Sequence, residues 1–116
     1  MESLLNRIES KREELIAFTQ ELVRIPTINP PGENYTECCE ILGNRLKKKG
    51  FSVIYERAKH APGDSNNYPR KNIIARIEGI NAGVCVHFNN HLDVVVPGNG
   101  WTVDPFEAIV KNGKIF

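Results

Sequence analysis

Residues 45–56 read Arg45-Leu46-Lys47-Lys48-Lys49-Gly50-Phe51-Ser52-Val53-Ile54-Tyr55-Glu56, and the hydrophobic period changes inside them. Upstream, Cys38, Ile41, Leu42, Arg45 and Leu46 recur at three- and four-residue steps, which predicts a helix with one buried side. Lys47, Lys48 and Lys49 fall in its last turn, where positive charge complements the negative end of the helix dipole. The triple lysine therefore reads as a helix terminus, not an anion site. Gly50 supplies a left-handed cap. From Phe51 the period is two: Phe51, Val53 and Tyr55 alternate with Ser52, Ile54 and Glu56, the pattern of a half-buried strand. Helices followed by several strands predict an α/β or α+β layout.

Working outward towards the N-terminus, Asn34 and Glu37 form a capping-box pattern that starts this helix. Before it, the run Ile28-Asn29-Pro30-Pro31-Gly32-Glu33 is an extended turn. Leu4, Ile8, Leu15, Phe18 and Leu22 make one apolar stripe and predict a first helix. Glu9, Lys11, Arg12, Glu13 and Glu14 form its solvated face. Pro26 stops that helix near Arg24, because it lacks a donor and restricts the residue before it. Towards the C-terminus, residues 58–70 form a polar loop, and residues 72–78 and 84–90 read as second and third strands. Residues 97–100 are a turn. Residues 106–110 and 114–116 flank Asn112-Gly113, the pair that a type I′ hairpin turn favours. Two helices and about five strands are expected, with no internal repeat.

Composition bounds the function. The chain has 116 residues, 41% hydrophobic and 25% charged, as in an ordinary soluble folded domain. Fifteen Lys and Arg against fourteen Asp and Glu leave a net charge of +1, which argues against a nucleic-acid module built on a basic field. No apolar run approaches the roughly 20 residues of a membrane span. Three cysteines, two of them the adjacent Cys38 and Cys39, suit neither a disulfide framework nor a Cys-x-x-Cys site. The start of the chain lacks a secretory pattern, so a reducing cytoplasm is the expected location. On the same ground the sequon Asn34-Tyr35-Thr36 carries little weight.

The chemistry concentrates in His87-Phe88-Asn89-Asn90-His91-Leu92-Asp93. In a strand, residues two apart share a face, so His91 and Asp93 project together. A neutral imidazole binds zinc through one nitrogen while a carboxylate holds the other N–H. Two residues alone do not make a zinc site, which takes three or four protein ligands, and a core histidine at 91 fits the same spacing. His87 and His91 stand four apart, but Phe88 occupies the place where a zinc-protease helix carries glutamate. His87 is expected to face the core or a sheet. His60 is expected on the solvated surface, and Cys85 within Val84-Cys85-Val86 as a small buried apolar residue.

The stretch Asn90-His91-Leu92-Asp93-Val94-Val95-Val96-Pro97-Gly98-Asn99-Gly100-Trp101, followed by Asp104-Pro105-Phe106-Glu107, resembles the first metal-site motif of a zinc-dependent deacylase and exopeptidase family. That family includes acetylornithine deacetylase, succinyl-diaminopimelate desuccinylase, aminoacylase and glutamate carboxypeptidase. Residues 22–33 are similar to its N-terminal helix exit and residues 71–79 to its following strand, so the likeness runs from about residue 15 to residue 116. It implies that His91 is a zinc ligand. It also implies that Asp93, in the position usually counted as catalytic, orients that ligand. Two zinc ions are implied, with cobalt able to substitute, together with hydrolysis of an N-acyl amino acid or small peptide by an activated water. Trp101 and Asp104-Pro105-Phe106 are assigned a structural part.

Two positions depart from the family pattern: Asn90 stands where a small residue is usual, and Val96 where a second proline is common. The family's later motifs, a Gly-Arg-Gly turn, an Asp-Met-Lys-Gly stretch, a glutamate pair and a last histidine, do not occur within residues 1–116. The resemblance therefore implies that 1–116 is the N-terminal portion of a mixed-sheet α/β catalytic domain whose lid or dimerisation domain lies elsewhere, the full-length form being a homodimer. Alone, the chain is expected neither to hold two zinc ions tightly nor to hydrolyse amides. It is also expected to expose apolar sheet edges and to pack loosely or aggregate. A non-catalytic remnant or binding module derived from the same fold is the alternative, and a generic α/β domain with a core histidine the third reading. An in-frame continuation through Gly-Arg-Gly and Asp-Met-Lys-Gly in the encoding DNA separates the first from the second.

Overall fold

The computed structural model describes residues 3–80 and 83–116. The described residues contain helices and short antiparallel strands in the order α1 (Leu4–Glu9), α2 (Arg12–Val23), α3 (Tyr35–Lys48), β1 (Ser52–Arg57), β2 (Lys71–Arg76), β3 (Val110–Lys111) and β4 (Lys114–Ile115). They divide into two compact units, one of residues 27–96 and the other of residues 1–26 with 97–116.

In the unit of residues 27–96, α3 packs on the β1–β2 ladder. The buried residues of α3 are Cys38, Cys39 and Gly43, and Ile41, Leu42, Arg45 and Leu46 are half-buried beside them. The helix ends as its sequence predicts. Gly50 has φ 91, its N–H donates to Lys47 O at 3.0 Å, and Phe51 N–H donates to Leu46 O at 3.1 Å. These two bonds form a Schellman motif, which satisfies carbonyls that the last helical turn leaves unpaired. The start differs from the expected capping box: Asn34 holds the N-cap with φ 54 and makes no capping bond with its side chain. In that left-handed conformation Asn34 lacks the extended N-cap backbone from which a side-chain oxygen reaches the first-turn N–H groups.

The β1–β2 ladder is antiparallel, pairing Ile54 with Ile74 and Tyr55 with Ile73. Along β1 exposed and half-buried residues alternate, with Val53, Tyr55 and Arg57 on the α3 side, as the period of two predicts. The loop from Ala58 to Arg70 is tied down by Asp64. Its carboxylate accepts from Arg57 Nε at 2.9 Å, from Arg57 Nη2 at 3.0 Å and from the Arg70 backbone N–H at 3.0 Å. The Arg57 guanidinium first, with backbone donors behind it, holds the Asp64 carboxyl down at about 2. A folded-state value below the unfolded one, about 3.9, means that this contribution is complete above about pH 4 and is lost as pH falls towards 2. An acid titration followed by circular dichroism is expected to show a transition in that window that Asp64→Asn makes shallower.

The third strand does not form. Residues 83–93 carry no ladder, and Val84 and Phe88 are 95% and 81% exposed. A strand needs a neighbour to pair its N–H and C=O groups, and an apolar alternation cannot supply one. Two further expectations fall with it: Cys85 is exposed, and so is His87. His60 is exposed, as expected. The five strands of a mixed sheet are also not found among the described residues. They hold four strands in two separate antiparallel pairs, plus one parallel bridge between Ile28 and Val94.

The second unit, of residues 1–26 with 97–116, holds α1, α2, β3 and β4. The single first helix expected there is two, α1 and α2, with Ser10 and Lys11 between them. The Ser10 hydroxyl donates to Arg7 O at 2.8 Å, and no apolar residue continues the stripe between Ile8 and Leu15. Helix α2 ends at Val23, two residues beyond which Pro26 follows Ile25, as predicted. No residue of α1 or α2 is buried. Gln20 Nε2 donates to Ala108 O at 2.8 Å, and Ile25 and Ala108 are the buried residues of this unit. Asp104 accepts from Phe106 N–H at 2.8 Å in a side-chain-closed turn, in keeping with its structural assignment. The hairpin turn has Asn112 at φ 51 and Gly113 at φ 73, the two positive values that a type I′ turn requires. Among the described residues no helix is long and apolar enough to cross a membrane.

The three cysteines give a direct test of packing. Burial pushes the Cys39 thiol up to about 11 and raises that of Cys38, while Cys85 is exposed. Because the thiolate is the reactive form, a short pulse of iodoacetamide is expected to label Cys85 and spare Cys38 and Cys39 until denaturant is added. Peptide mass spectrometry reads the outcome. A loosely packed chain would label all three at similar rates.

Candidate functional site

The site lies in the unit of residues 27–96, where two segments distant in sequence run side by side. The Pro30-Pro31-Gly32 turn is closed by Gly32 and Glu33 N–H groups, both donating to Ile28 O at 2.9 Å. Just before it, Asn29 N–H donates to Val94 O at 2.8 Å and Val94 N–H donates to Thr27 O at 3.0 Å. Thr27 is 3% exposed, and its hydroxyl donates to Leu92 O at 2.7 Å. These bonds clamp residues 92–94 onto residues 27–29, which is what positions Asp93 without a surrounding sheet.

His91 and Asp93 come together as the sequence predicts, although not on a strand. His91 Nδ1 lies 3.2 Å from Asp93 Oδ1 and 2.9 Å from the Asp93 backbone oxygen. The His91 side chain is 84% exposed and the Asp93 side chain 30%. With Nδ1 occupied, Nε2 is the ring nitrogen left to meet a ligand.

Three residues that the sequence reading placed elsewhere complete the arrangement. Asn29 Nδ2 donates to Asp93 Oδ2 at 2.8 Å. The Tyr35 hydroxyl also hydrogen-bonds the Asp93 carboxylate. Arg70 Nη1 donates to Asn29 Oδ1 at 3.0 Å and to the Tyr35 hydroxyl at 3.2 Å, with its guanidinium carbon 5.4 Å from the Tyr35 ring centre. The Asn29 amide, more than any other group, holds the Asp93 carboxyl below the usual range. Burial first, and then the neighbouring Asp93, push the Tyr35 phenol up. Asp93 is thus kept as an ionised acceptor facing the imidazole. The one available signal for Asn29 was a polar side chain next to the Pro-Pro-Gly turn; nothing local marked Tyr35 or Arg70.

A carboxylate–imidazole pair with a free Nε2 is the donor chemistry that zinc takes from histidine. It amounts to one ligand with its orienting partner. Among the described residues no group of three or more His, Cys, Asp or Glu side chains is brought together to hold a metal ion.

Similarity to known proteins is confined to part of their length. The chain is 28% identical to succinyl-diaminopimelate desuccinylase of Gluconobacter oxydans, over 87% of this chain and 24% of that protein. It is 30% identical to N-formyl-4-amino-5-aminomethyl-2-methylpyrimidine deformylase of Halalkalibacterium halodurans, over 99% of this chain and 26% of that protein. It is 35% identical to succinyl-diaminopimelate desuccinylase of Methylobacterium nodulans, over 86% of this chain and 24% of that protein. The chain therefore spans about a quarter of the length of the curated relatives it matches. No family model and no solved structure matches it.

Proposed function

We propose that this chain is the N-terminal portion of the catalytic domain of a cytoplasmic zinc-dependent amidohydrolase, one that cleaves the amide bond of an N-acyl amino acid or small peptide. The observation that carries the reading is the His91–Asp93 pair, with Nδ1 held by the carboxylate at 3.2 Å and Nε2 left outward. The relatives support it: their names describe removal of a succinyl or a formyl group.

In this reading His91 holds zinc through Nε2, and Asp93 keeps the proton on Nδ1 and raises the basicity of the ring. Asn29 and Tyr35 hold Asp93 in place by donating to its carboxylate. When bound, the metal supplies polarisation of the scissile carbonyl and a water of lowered pKa. The other ligands of a two-zinc centre, in which cobalt can substitute, the general base and the surface of a homodimer belong to further residues of the full translation product.

The full translation product of the gene, loaded with zinc, is expected to release the free acid from N-succinyl or N-formyl amino compounds. The 116-residue chain alone is expected to take up at most one zinc and to show no turnover. A zinc-loaded full product inactive on a panel of N-acyl amino acids and dipeptides would overturn the reading.

A further inference from the structure

The bonds around Asp93 have a direction, and the direction starts at Arg70. A guanidinium only donates hydrogen bonds. Its contact with Asn29, at 3.0 Å, therefore requires the amide oxygen to face Arg70, and this turns Nδ2 towards Asp93 Oδ2. The same nitrogen donates to the Tyr35 hydroxyl at 3.2 Å, so the hydroxyl proton is directed to the Asp93 carboxylate. Two routes thus leave Arg70 and both deliver donors to Asp93. At the far end His91 Nδ1 faces two acceptors, Asp93 Oδ1 and the Asp93 backbone oxygen, so Nδ1 must carry the proton and Nε2 the lone pair.

We propose that Arg70 is a positioning residue that, through Asn29 and Tyr35, orients the Asp93 carboxylate and so helps to hold His91 as the Nδ1–H tautomer. The proposal rests on the reading of His91 as a ligand, because only the Nδ1–H form offers Nε2 to a metal. Arg70 is itself held in place. Its Nε donates to Pro62 O at 3.3 Å and its backbone N–H to Asp64 Oδ1 at 3.0 Å. Its two terminal nitrogens occupy the space beside Gly32 and Gly63 that a Cβ at either position would claim. An imidazole free in water prefers the proton on Nε2, so a solvent-exposed ring held as Nδ1–H reports an imposed preference.

The test uses the 116-residue chain with 15N-labelled histidine, without metal, at a pH where the rings are neutral. Two-bond 1H–15N spectra distinguish the tautomers, and His91→Gln identifies the His91 signals. The wild-type ring is expected in the Nδ1–H form. Arg70→Ala and Asn29→Ala should each make Nε2–H the larger population, Tyr35→Phe should give a partial shift, and Arg70→Lys should restore most of the original form. Asn29→Ala leaves the Arg70 anchorage intact and decides the matter if Arg70→Ala disturbs the loop, with protection of Cys38 and Cys39 from alkylation as the control for folding. A tautomer unchanged in both alanine variants, or a wild-type ring already in the Nε2–H form, overturns the proposal. Zinc titration of the full translation product and of its His91→Ala variant separates the two readings. Tautomer shifts in the variants, with a zinc stoichiometry that His91→Ala leaves unchanged, remove the ligand role of His91 and leave the positioning role standing. Unchanged tautomers, with zinc lost in His91→Ala, do the reverse.

Discussion

His91→Ala is expected to abolish zinc-dependent hydrolysis by the full translation product, while Asp93→Asn lowers its zinc affinity and kcat/KM by roughly 10- to 100-fold. The first loss is not a folding effect. The His91 side chain is 84% exposed, and substitutions at such positions change stability by only about 0.5 kcal/mol either way. The Asp93→Asn effect follows from the hydrogen bonds. A carboxylate accepts on both oxygens and so serves Asn29, Tyr35 and His91 together. An amide has one accepting oxygen, so its NH2 group must face either the Asn29–Tyr35 side or the imidazole. Facing His91, it forces the ring proton onto Nε2 and blocks the ligand nitrogen. Facing Asn29, it sets donor against donor. Zinc equilibrium dialysis and kcat/KM of the full product read the two variants. Unimpaired zinc uptake by His91→Ala would remove His91 from the ligand set.

Most signals within a few residues of one another were legible in the sequence and hold, the capping box at Asn34 and Glu37 being the exception. Gly50 closes α3, Asn112-Gly113 turns the β3–β4 hairpin, and Val53 and Tyr55 alternate correctly, because each depends on local backbone preference or on one face of one element. His91 and Asp93 were readable for the same reason, being two residues apart. The third strand was not readable, because residues 84–90 have strand composition but a ladder also needs a partner, and composition does not reveal one. Burial of Cys85 and His87 depended on that strand. The break at Ser10 and Lys11 falls where no apolar residue continues the stripe between Ile8 and Leu15. Arg70 meets Asn29 across 41 positions and Tyr35 across 35, and no periodicity links residues so far apart. Two of the five residues of the candidate site were thus visible as a motif, and the three that orient them meet only once the turn after Thr27, α3 and the loop after β1 are folded.

Gly43→Leu is expected to destabilise the chain by about 2 kcal/mol, although leucine is the better helix former. In an exposed helix the exchange would gain just under about 1 kcal/mol. Gly43, however, is buried on the sheet side of α3, where Tyr55 of β1 lies against it. A Cβ there would stand 2.7 Å from Tyr55 Cζ and 2.8 Å from Cε1, and would also run into the hydroxyl. The ring is also met by Lys47 Nζ, 4.9 Å from its centre, so a shift of Tyr55 disturbs that contact as well. A leucine therefore lifts α3 from β1, and because α3 also contributes Cys38 and Cys39 to the core, their burial suffers too. The sign can be tested against helix propensity by a double-mutant cycle with Tyr55→Ala. Removing the ring makes room for the leucine, so the double variant is expected to be more stable than the sum of the single effects by at least about 1 kcal/mol. Urea denaturation supplies the four free energies, and additive values would mean that α3 and β1 do not meet at Gly43 and Tyr55.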